Sequence, residues 1–273
     1  LVKWREVVGE FEKADGGTFR IVIVGAGAGG VEVALAAQPR LQRVASNRER
    51  PSPKLEIHVV SNTDSILTSH NRSVQKKYLR ILREREIHVH LDSGAEQVVD
   101  GHLKFEGNNE LAFDYLLWVT HASAPKWIEQ SGVRTNDEGF IAVEDTLRSA
   151  SHPEIFAAGD VASVLPHQRP KSGVFAVRQG APLARNLRRA VAGLPPLPFK
   201  PQKRFLSLIS TGDRYAVGSK GAFAIEGKWV WRWKDWIDRR WMRRYQELPE
   251  MKSGGKTGKP NAPEFEPMRC GGC

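Results

Sequence analysis

The residues with the clearest chemical meaning form a glycine-rich stretch, Gly25-Ala-Gly-Ala-Gly-Gly30, of the type G-x-G-x-x-G. The first glycine of this pattern permits a tight turn, the second lets the backbone approach a pyrophosphate, and the third allows close packing of helix on strand. A helix that begins here offers free N–H groups and the positive end of its dipole to phosphate. We therefore assign Gly25, Ala26, Gly27, Gly29 and Gly30 to the binding site of a dinucleotide coenzyme.

This pattern is informative only between a strand and a helix. Residues 19–24, FRIVIV, are a continuous apolar run typical of a strand that is buried on both faces. Residues 31–37 predict a helix, and Pro39, Pro51 and Pro53 predict a long loop over 38–54. The expected context is therefore present.

The end of the second predicted strand, residues 55–60, would normally carry an acid that holds the ribose hydroxyls of NAD. Here Ser61 and Asn62 follow the strand, and the first acid is Asp64. Arg72 is a candidate partner for the 2′-phosphate of NADP, or a solvated arginine. The choice between NAD and NADP stays open, and Ser61 is assigned to the coenzyme site.

Further elements follow from local pattern. Helices are expected over 2–13, 74–86, 174–191 and 235–246, strands over 87–91, 115–120, 139–143 and 155–158, an antiparallel meander over 95–113, antiparallel strands over 204–233, and a linker over 249–267.

Positive charge is concentrated near the carboxyl end. Residues 185–245 hold 15 of the 41 Lys and Arg residues but only 4 of the 31 Asp and Glu residues. Five of the eight tryptophans fall between 229 and 241, and Trp236, Ile237, Trp241 and Tyr245 are expected to share one helix face. Two interpretations stay open: peripheral contact with a membrane, or tryptophans that close a core while the arginines face water or a neighbouring domain. No motif supports nucleic-acid binding.

Other classes are excluded by composition. No apolar run is long enough to span a membrane, and no signal peptide is recognisable. Both cysteines, Cys270 and Cys273, lie in the last four residues, which argues against a disulfide-stapled fold. A zinc site would need two more ligands, so no metal is expected. We predict a cytoplasmic protein. If the predicted tryptophan-rich helix at 235–246 binds lipid, the protein is expected to be peripheral at the inner face of the membrane.

Several segments together resemble a known family. The fingerprint GAGAGGVE (25–32), DYLLWVT (114–120), GFIAVEDTLRS (139–149) and IFAAGDVA (155–162) are similar to the two-dinucleotide-domain flavoproteins of the pyridine nucleotide-disulfide oxidoreductase superfamily, closest to the type II NADH dehydrogenase branch.

The resemblance implies an α/β fold with a Rossmann-like NAD(P)-binding domain inserted in a FAD-binding domain that is incomplete here, plus a carboxyl-terminal α+β segment. The implied parts are a connecting helix (1–17), the NAD(P) domain (18–113), the second half of the FAD domain (114–195), a sheet with a basic helix (196–248), and a linker leading to a kinase-like domain (249–273). A first FAD fingerprint is expected before residue 1, so the chain resembles an internal fragment that binds FAD poorly alone.

The implied activity is hydride transfer from NAD(P)H to FAD and on to an unknown acceptor. No residue is assigned to proton transfer. The family usually has glycine where His121 stands, and its redox Cys-x-x-Cys is absent from the nucleotide domains. The implied cofactor contacts, besides the glycine fingerprint, are Glu32, Thr120, Gly159, Asp160, Gly173, Val174 and Phe175.

The terminal MRCGGC (268–273) resembles the start of selenide, water dikinase (selenophosphate synthetase), in which a cysteine matching Cys273 is catalytic. The resemblance implies a reductase fused to this kinase of selenium metabolism. The alternative function is a catalytically silent module that senses a nucleotide for the attached kinase.

Overall fold

The computed structural model describes residues 2–105, 109–120, 122–203 and 205–247. They form two compact units: the first comprises the described residues of 2–120 and 205–241, and the second comprises residues 122–203 and 242–247. The helices are α1 (Val2–Lys13), α2 (Ala28–Ser46), α3 (Arg72–Glu84), α4 (Lys126–Gln130), α5 (Gly173–Val191) and α6 (Lys228–Gln246). The strands are β1 (Thr18–Val24), β2 (Lys54–Val60), β3 (His88–His90), β4 (Ala95–Val99), β5 (His102–Phe105), β6 (Glu110–Ala112), β7 (Tyr115–Trp118), β8 (Ile141–Val143), β9 (Ala162–Val164), β10 (Leu206–Ser210), β11 (Ala216–Lys220) and β12 (Phe223–Gly227).

The first unit is built on a parallel sheet of order β3-β2-β1-β7. β1 lies at its centre and is almost fully buried from Ile21 to Val24, as the apolar run predicts. Strands joined through α2 and α3 give the expected α/β fold. The predicted FAD-half segment that begins at residue 114 differs here, because β7 pairs with β1 and belongs to this sheet.

The predicted meander is confirmed as β4, β5 and β6, which form an antiparallel sheet. Its first turn has positive φ at both Asp100 and Gly101, as a tight two-residue hairpin requires. Leu103 and Phe105 pack with Val22, Val24 and Val60, so the meander covers one face of the parallel sheet.

Helix α2 is much longer than predicted, because Pro39 lies inside it instead of starting a loop. The buried face formed by Val31, Leu35 and Leu41 continues past the proline, and this packing outweighs the cost of an interior proline. Pro39 has no N–H for the Leu35 carbonyl one turn earlier. The Arg85 guanidinium approaches that carbonyl at 3.5 Å and supplies a donor.

The carboxyl-terminal sheet β10-β11-β12 shares the main hydrophobic core of the first unit through Ile209 and Val217. The buried Tyr78 hydroxyl on α3 donates to the Ile209 carbonyl at 2.7 Å. Gly212 has φ +84°, and a Cβ there would lie 2.4 Å from the Leu35 carbonyl oxygen. Only glycine allows this turn to reach α2 so closely.

The predicted strand at residues 228–233 is wrong, because α6 already begins at Lys228. Val230 is fully buried, whereas Trp229, Trp233 and Trp236 are 56%, 37% and 58% exposed. The three tryptophans are spaced by four and three residues, which places them on one face of the helix. Tryptophan occupies every second position only from Trp229 to Trp233, which is too short a pattern to distinguish strand from helix.

The predicted grouping of Trp236, Ile237, Trp241 and Tyr245 on one face of α6 is also wrong. Trp236 and Tyr245 are exposed, whereas Ile237 and Trp241 are half-buried. At 100° per residue, Trp236 and Tyr245 lie on opposite sides of the helix.

In the described part of the chain, no helix is long and apolar enough to cross a membrane.

The second unit contains the two-stranded parallel sheet β8-β9 and the long helix α5. Ile141, Val143 and Leu147 form its core together with Ala157, Ala162 and Val164. The predicted strand 155–158 is reduced to one isolated bridge between Arg148 and Phe156. The segment turns directly into the 3₁₀ turn Gly159–Val161, which leaves too little length for a ladder.

Candidate functional site

The fingerprint lies where β1 turns into α2, as predicted. Gly25 has φ +116° and donates its N–H to the Val60 carbonyl at 2.8 Å. A Cβ on Gly25 would lie 2.2 Å from the Val119 carbonyl oxygen, and one on Gly30 would lie 1.8 Å from the Gly25 carbonyl oxygen. Both glycines are therefore required by backbone packing.

Gly27 differs from these two glycines because nothing lies within 4 Å of a Cβ built on it. It is exposed and is the N-cap of α2, with extended backbone and no side chain to cap the helix. The first amides of α2 therefore face open space, where an anion binds favourably. These residues fit the pyrophosphate of a dinucleotide. The neighbouring Ala26 is buried, and its carbonyl accepts from the Leu67 N–H.

Two further predicted residues lie next to this turn. Thr120 is exposed and directly follows Val119, whose carbonyl packs against Gly25. Ser61 is buried and directly follows Val60, which bonds to Gly25. The structure thus places Thr120 and Ser61 beside the fingerprint. His121 lies outside the described residues.

Glu32, a predicted coenzyme contact, makes a hydrogen bond within the protein that the sequence did not predict. Its carboxylate accepts the Ser210 N–H of β10 at 2.7 Å, a contact across 178 residues of sequence. Burial raises the pKa of Glu32, and the Ser210 N–H and the charge of Lys234 partly offset this rise. In this structure, the Glu32 side chain on α2 therefore forms a hydrogen bond to strand β10 of the carboxyl-terminal sheet.

The position of Glu32 gives a testable prediction. Glu32→Gln keeps the acceptor and removes a desolvated charge, so the free energy of unfolding at pH 7 should stay equal or rise. Glu32→Ala leaves the Ser210 N–H without an acceptor and should lower the free energy of unfolding by about 1–3 kcal/mol. Urea unfolding monitored by circular dichroism measures both. A loss of coenzyme affinity in both variants at unchanged stability would instead support the predicted role at the coenzyme.

The second unit has a pocket at the amino end of α5, where several predicted FAD contacts meet. It is lined by Gly159, Asp160, Ser172, Phe175 and Gln179. Gly159 has φ +74° and donates its N–H to Gln179 Oε1 at 2.6 Å. Its role is therefore the conformation of the turn before Asp160. Gln179 was not among the predicted cofactor contacts.

Ser172 is the N-cap of α5, but its hydroxyl does not cap the helix. Its Oγ atom is buried and has no hydrogen-bond partner among the described residues. A buried hydroxyl without a partner is costly, and the adjacent helix amides also need acceptors. This donor set fits the oxygens of a bound flavin nucleotide. Phe175 is buried, Val174 is half-buried and Gly173 is exposed.

Lys171 precedes this N-cap and was also not predicted. Its ammonium donates to the Ala162 carbonyl at 2.6 Å and lies 3.9 Å from the centre of the Phe140 ring. Burial lowers the pKa of Lys171. These contacts fix the loop that leads into α5.

Among the described residues, no group of three or more His, Cys, Asp and Glu side chains is arranged to bind a metal ion. Cys270 and Cys273 lie outside those residues. Arg72 is the first residue of α3 and is exposed.

Comparison with known proteins gives the family. Residues 5–180 match the model of the family "Pyridine nucleotide-disulphide oxidoreductase". The chain is 24% identical to an oxidoreductase (ptaL) of Pestalotiopsis fici over 228 residues, which cover 82% of this chain and 57% of that protein. It is 24% identical to an NADH dehydrogenase-like protein of Mycobacterium tuberculosis over 165 residues, which cover 60% of this chain and 40% of that protein. The chain thus spans about half the length of these relatives.

The fold also matches a solved structure, the sulfide:quinone oxidoreductase of Aquifex aeolicus. The TM-score is 0.70 at 13% identity, with 90% of this chain and 62% of that chain covered. The family model spans the fingerprint, Glu32, Ser61, Thr120 and the α5 pocket as far as Gly180. The chain belongs to the pyridine nucleotide-disulphide oxidoreductase family.

Proposed function

We propose that this chain forms the NAD(P)H-binding domain and part of the FAD-binding domain of a flavin-dependent NAD(P)H oxidoreductase with an as yet unidentified acceptor. The observation that carries the proposal is the Gly25–Gly30 turn, in which two glycines are demanded by packing and Gly27 leaves space for a phosphate. The family match supports oxidoreductase chemistry.

The chain's own residues would bind and orient the two nucleotides. The exposed backbone at Gly27 and the first amides of α2 would hold the pyrophosphate of NAD(P)H. The Ser172 hydroxyl and the first amides of α5 would donate to FAD, and Asp160 would accept from its hydroxyl groups. Bound FAD would supply the capacity to accept a hydride and release electrons.

A visible spectrum of the full-length protein that carries this chain tests the proposal. We expect the absorption bands of an oxidised flavin, and we expect NADH or NADPH to bleach them under anaerobic conditions. A flavin that neither coenzyme reduces would contradict the proposal. A colourless protein that still binds nucleotide would favour the alternative, a silent sensing module.

We also propose the fusion to selenide, water dikinase, which rests on the resemblance of residues 268–273 and on a weaker likeness of residues 169–180, 205–219 and 229–245 to such fusion proteins. The native product, detected with an antibody against this chain, should then be larger than this chain by the mass of a kinase. A native product without that additional mass would refute the fusion.

A further proposal is peripheral contact with an anionic membrane through α6. The exposed face formed by Trp229, Trp233 and Trp236, with the Arg240 guanidinium 5.6 Å from the Trp236 ring, supports it. Core burial of these three tryptophans is contradicted by their exposure. The protein should sediment with phosphatidylserine vesicles, and W229S/W233S should not; equal sedimentation of both would contradict the proposal.

A further inference from the structure

In the turn after β2, the hydroxyl groups of Ser61 and Thr63 are both engaged in hydrogen bonds within the turn. The Ser61 hydroxyl lies 2.7 Å from the Thr63 hydroxyl, which donates to the Ser65 carbonyl at 2.8 Å. The Thr63 N–H donates back to Ser61 Oγ at 3.3 Å. With Thr63 Oγ1 donating to Ser65, Ser61 is the donor in the first of these bonds. Both hydroxyl protons are therefore used within the turn.

This turn lies beside the fingerprint, because the Gly25 N–H bonds to the last carbonyl of β2 at 2.8 Å. In a Rossmann fold, the end of the second strand meets the adenosine ribose of the coenzyme. An acid at this point binds the 2′-hydroxyl of NAD and repels the 2′-phosphate of NADP. Ser61 and Asn62 replace such an acid here.

Asn62 is exposed in this turn. Its amide has no hydrogen-bond partner in the part of the chain that the structure describes, so its N–H donors are free. The carboxylate of Asp64 is exposed as well and accepts from the Ser65 hydroxyl at 3.0 Å. A neutral amide can donate equally well to a ribose hydroxyl or to a phosphate oxygen.

We infer that this site accepts the 2′-phosphate, so that NADPH and NADH both bind, and that Asn62 is the residue whose lack of charge allows it. The inference rests on the proposed function, because it concerns the same coenzyme site. The repulsion that a carboxylate at position 61 or 62 would exert on the phosphate is absent, and the free Asn62 amide supplies a donor in its place.

Calorimetric titration of the full chain with 5′-ADP and with 2′,5′-ADP tests the inference without any need for flavin. We expect the two dissociation constants to agree within about tenfold. Asn62→Asp changes almost nothing but the charge. It should weaken 2′,5′-ADP by about tenfold or more and leave 5′-ADP unchanged or tighter.

Asp64→Asn is the matched control, since it removes the neighbouring exposed carboxylate. We expect it to leave the ratio of the two constants unchanged. If Asp64→Asn weakens 5′-ADP, Asp64 holds the ribose and the inference falls. It also falls if the unsubstituted chain binds 5′-ADP far more tightly than 2′,5′-ADP. Binding of neither nucleotide would instead contradict the proposed coenzyme site itself.

Discussion

Replacing Gly27 with alanine should weaken NAD(P)H binding by about 100-fold, or about 2.7 kcal/mol, while the fold survives. A Cβ at this position meets nothing in the protein, and the backbone angles of φ −71° and ψ −178° suit any residue. The added methyl group would occupy the space through which the pyrophosphate approaches the backbone. The free energy of unfolding should change by less than about 1 kcal/mol.

Gly30→Ala is the matched variant, and its main effect should be on the stability of the fold. Its Cβ would lie 1.8 Å from the Gly25 carbonyl oxygen, so backbone must move, and the free energy of unfolding should fall by about 3 kcal/mol. Urea unfolding and coenzyme titration of both variants separate the two roles. Unchanged coenzyme affinity in a folded Gly27→Ala variant would contradict a phosphate site at this turn.

Acid should destabilise the first unit strongly because of a histidine cluster on one face of its sheet. His58 is only 7% exposed, its Nδ1 atom lies 2.9 Å from His90 Nε2, and its ring stacks on His88 with 4.6 Å between centroids. Burial, followed by the charges of His88, His90 and Arg20, lowers the pKa of His58 to about 4, and Glu56 offsets this only in part.

The sign of the effect follows from this lowered pKa. An unfolded histidine binds a proton near pH 6.5, whereas folded His58 stays neutral until about pH 4. The unfolded state therefore gains protons first, and stability is lost as the pH falls through this window. The loss from His58 amounts to about 3 kcal/mol. Burial also lowers the pKa of His90, which acts in the same direction.

The measurement is the free energy of urea unfolding at several pH values between 7 and 4. The slope against pH should be clearly smaller in His58→Gln than in the unsubstituted protein. His152→Gln, which removes a histidine from the second unit, should leave the slope unchanged. Equal slopes in all three proteins would show that the cluster does not resist protonation.

The sequence indicates the parts of the site that depend on local backbone chemistry. A buried apolar strand, a glycine turn and a helix start are contiguous in residues 18–46, so they can be recognised from the sequence without knowledge of the fold. The hairpin at Asp100 and Gly101 is predictable for the same reason, since positive φ is a local demand.

Long-range contacts were not predictable, because nothing local encodes them. The partner of Glu32 is 178 residues away. Packing extends α2 through Pro39, and Arg85 supplies the donor that the proline lacks. His88 and His90 alternate in the sequence, but only the register of β2 against β3 brings His58 next to them.

The sharing of one core by β10–β12 and the amino-terminal residues has a consequence for synthesis on the ribosome. The Tyr78 hydroxyl bonds to a carbonyl 131 residues later in the chain. At roughly 10 residues per second, that partner emerges about 13 s after Tyr78 itself. Contacts of such high sequence separation are also slow to form.

The residues from 122 to 203 are synthesised inside this interval. The second unit's core residues, from Ile128 to Val164, all emerge before Ile209 and Val217 complete the core of the first unit. The core of the unit that begins first is therefore completed last, and its nascent form exposes the apolar faces of α2 and α3 until β10 and β11 have been synthesised.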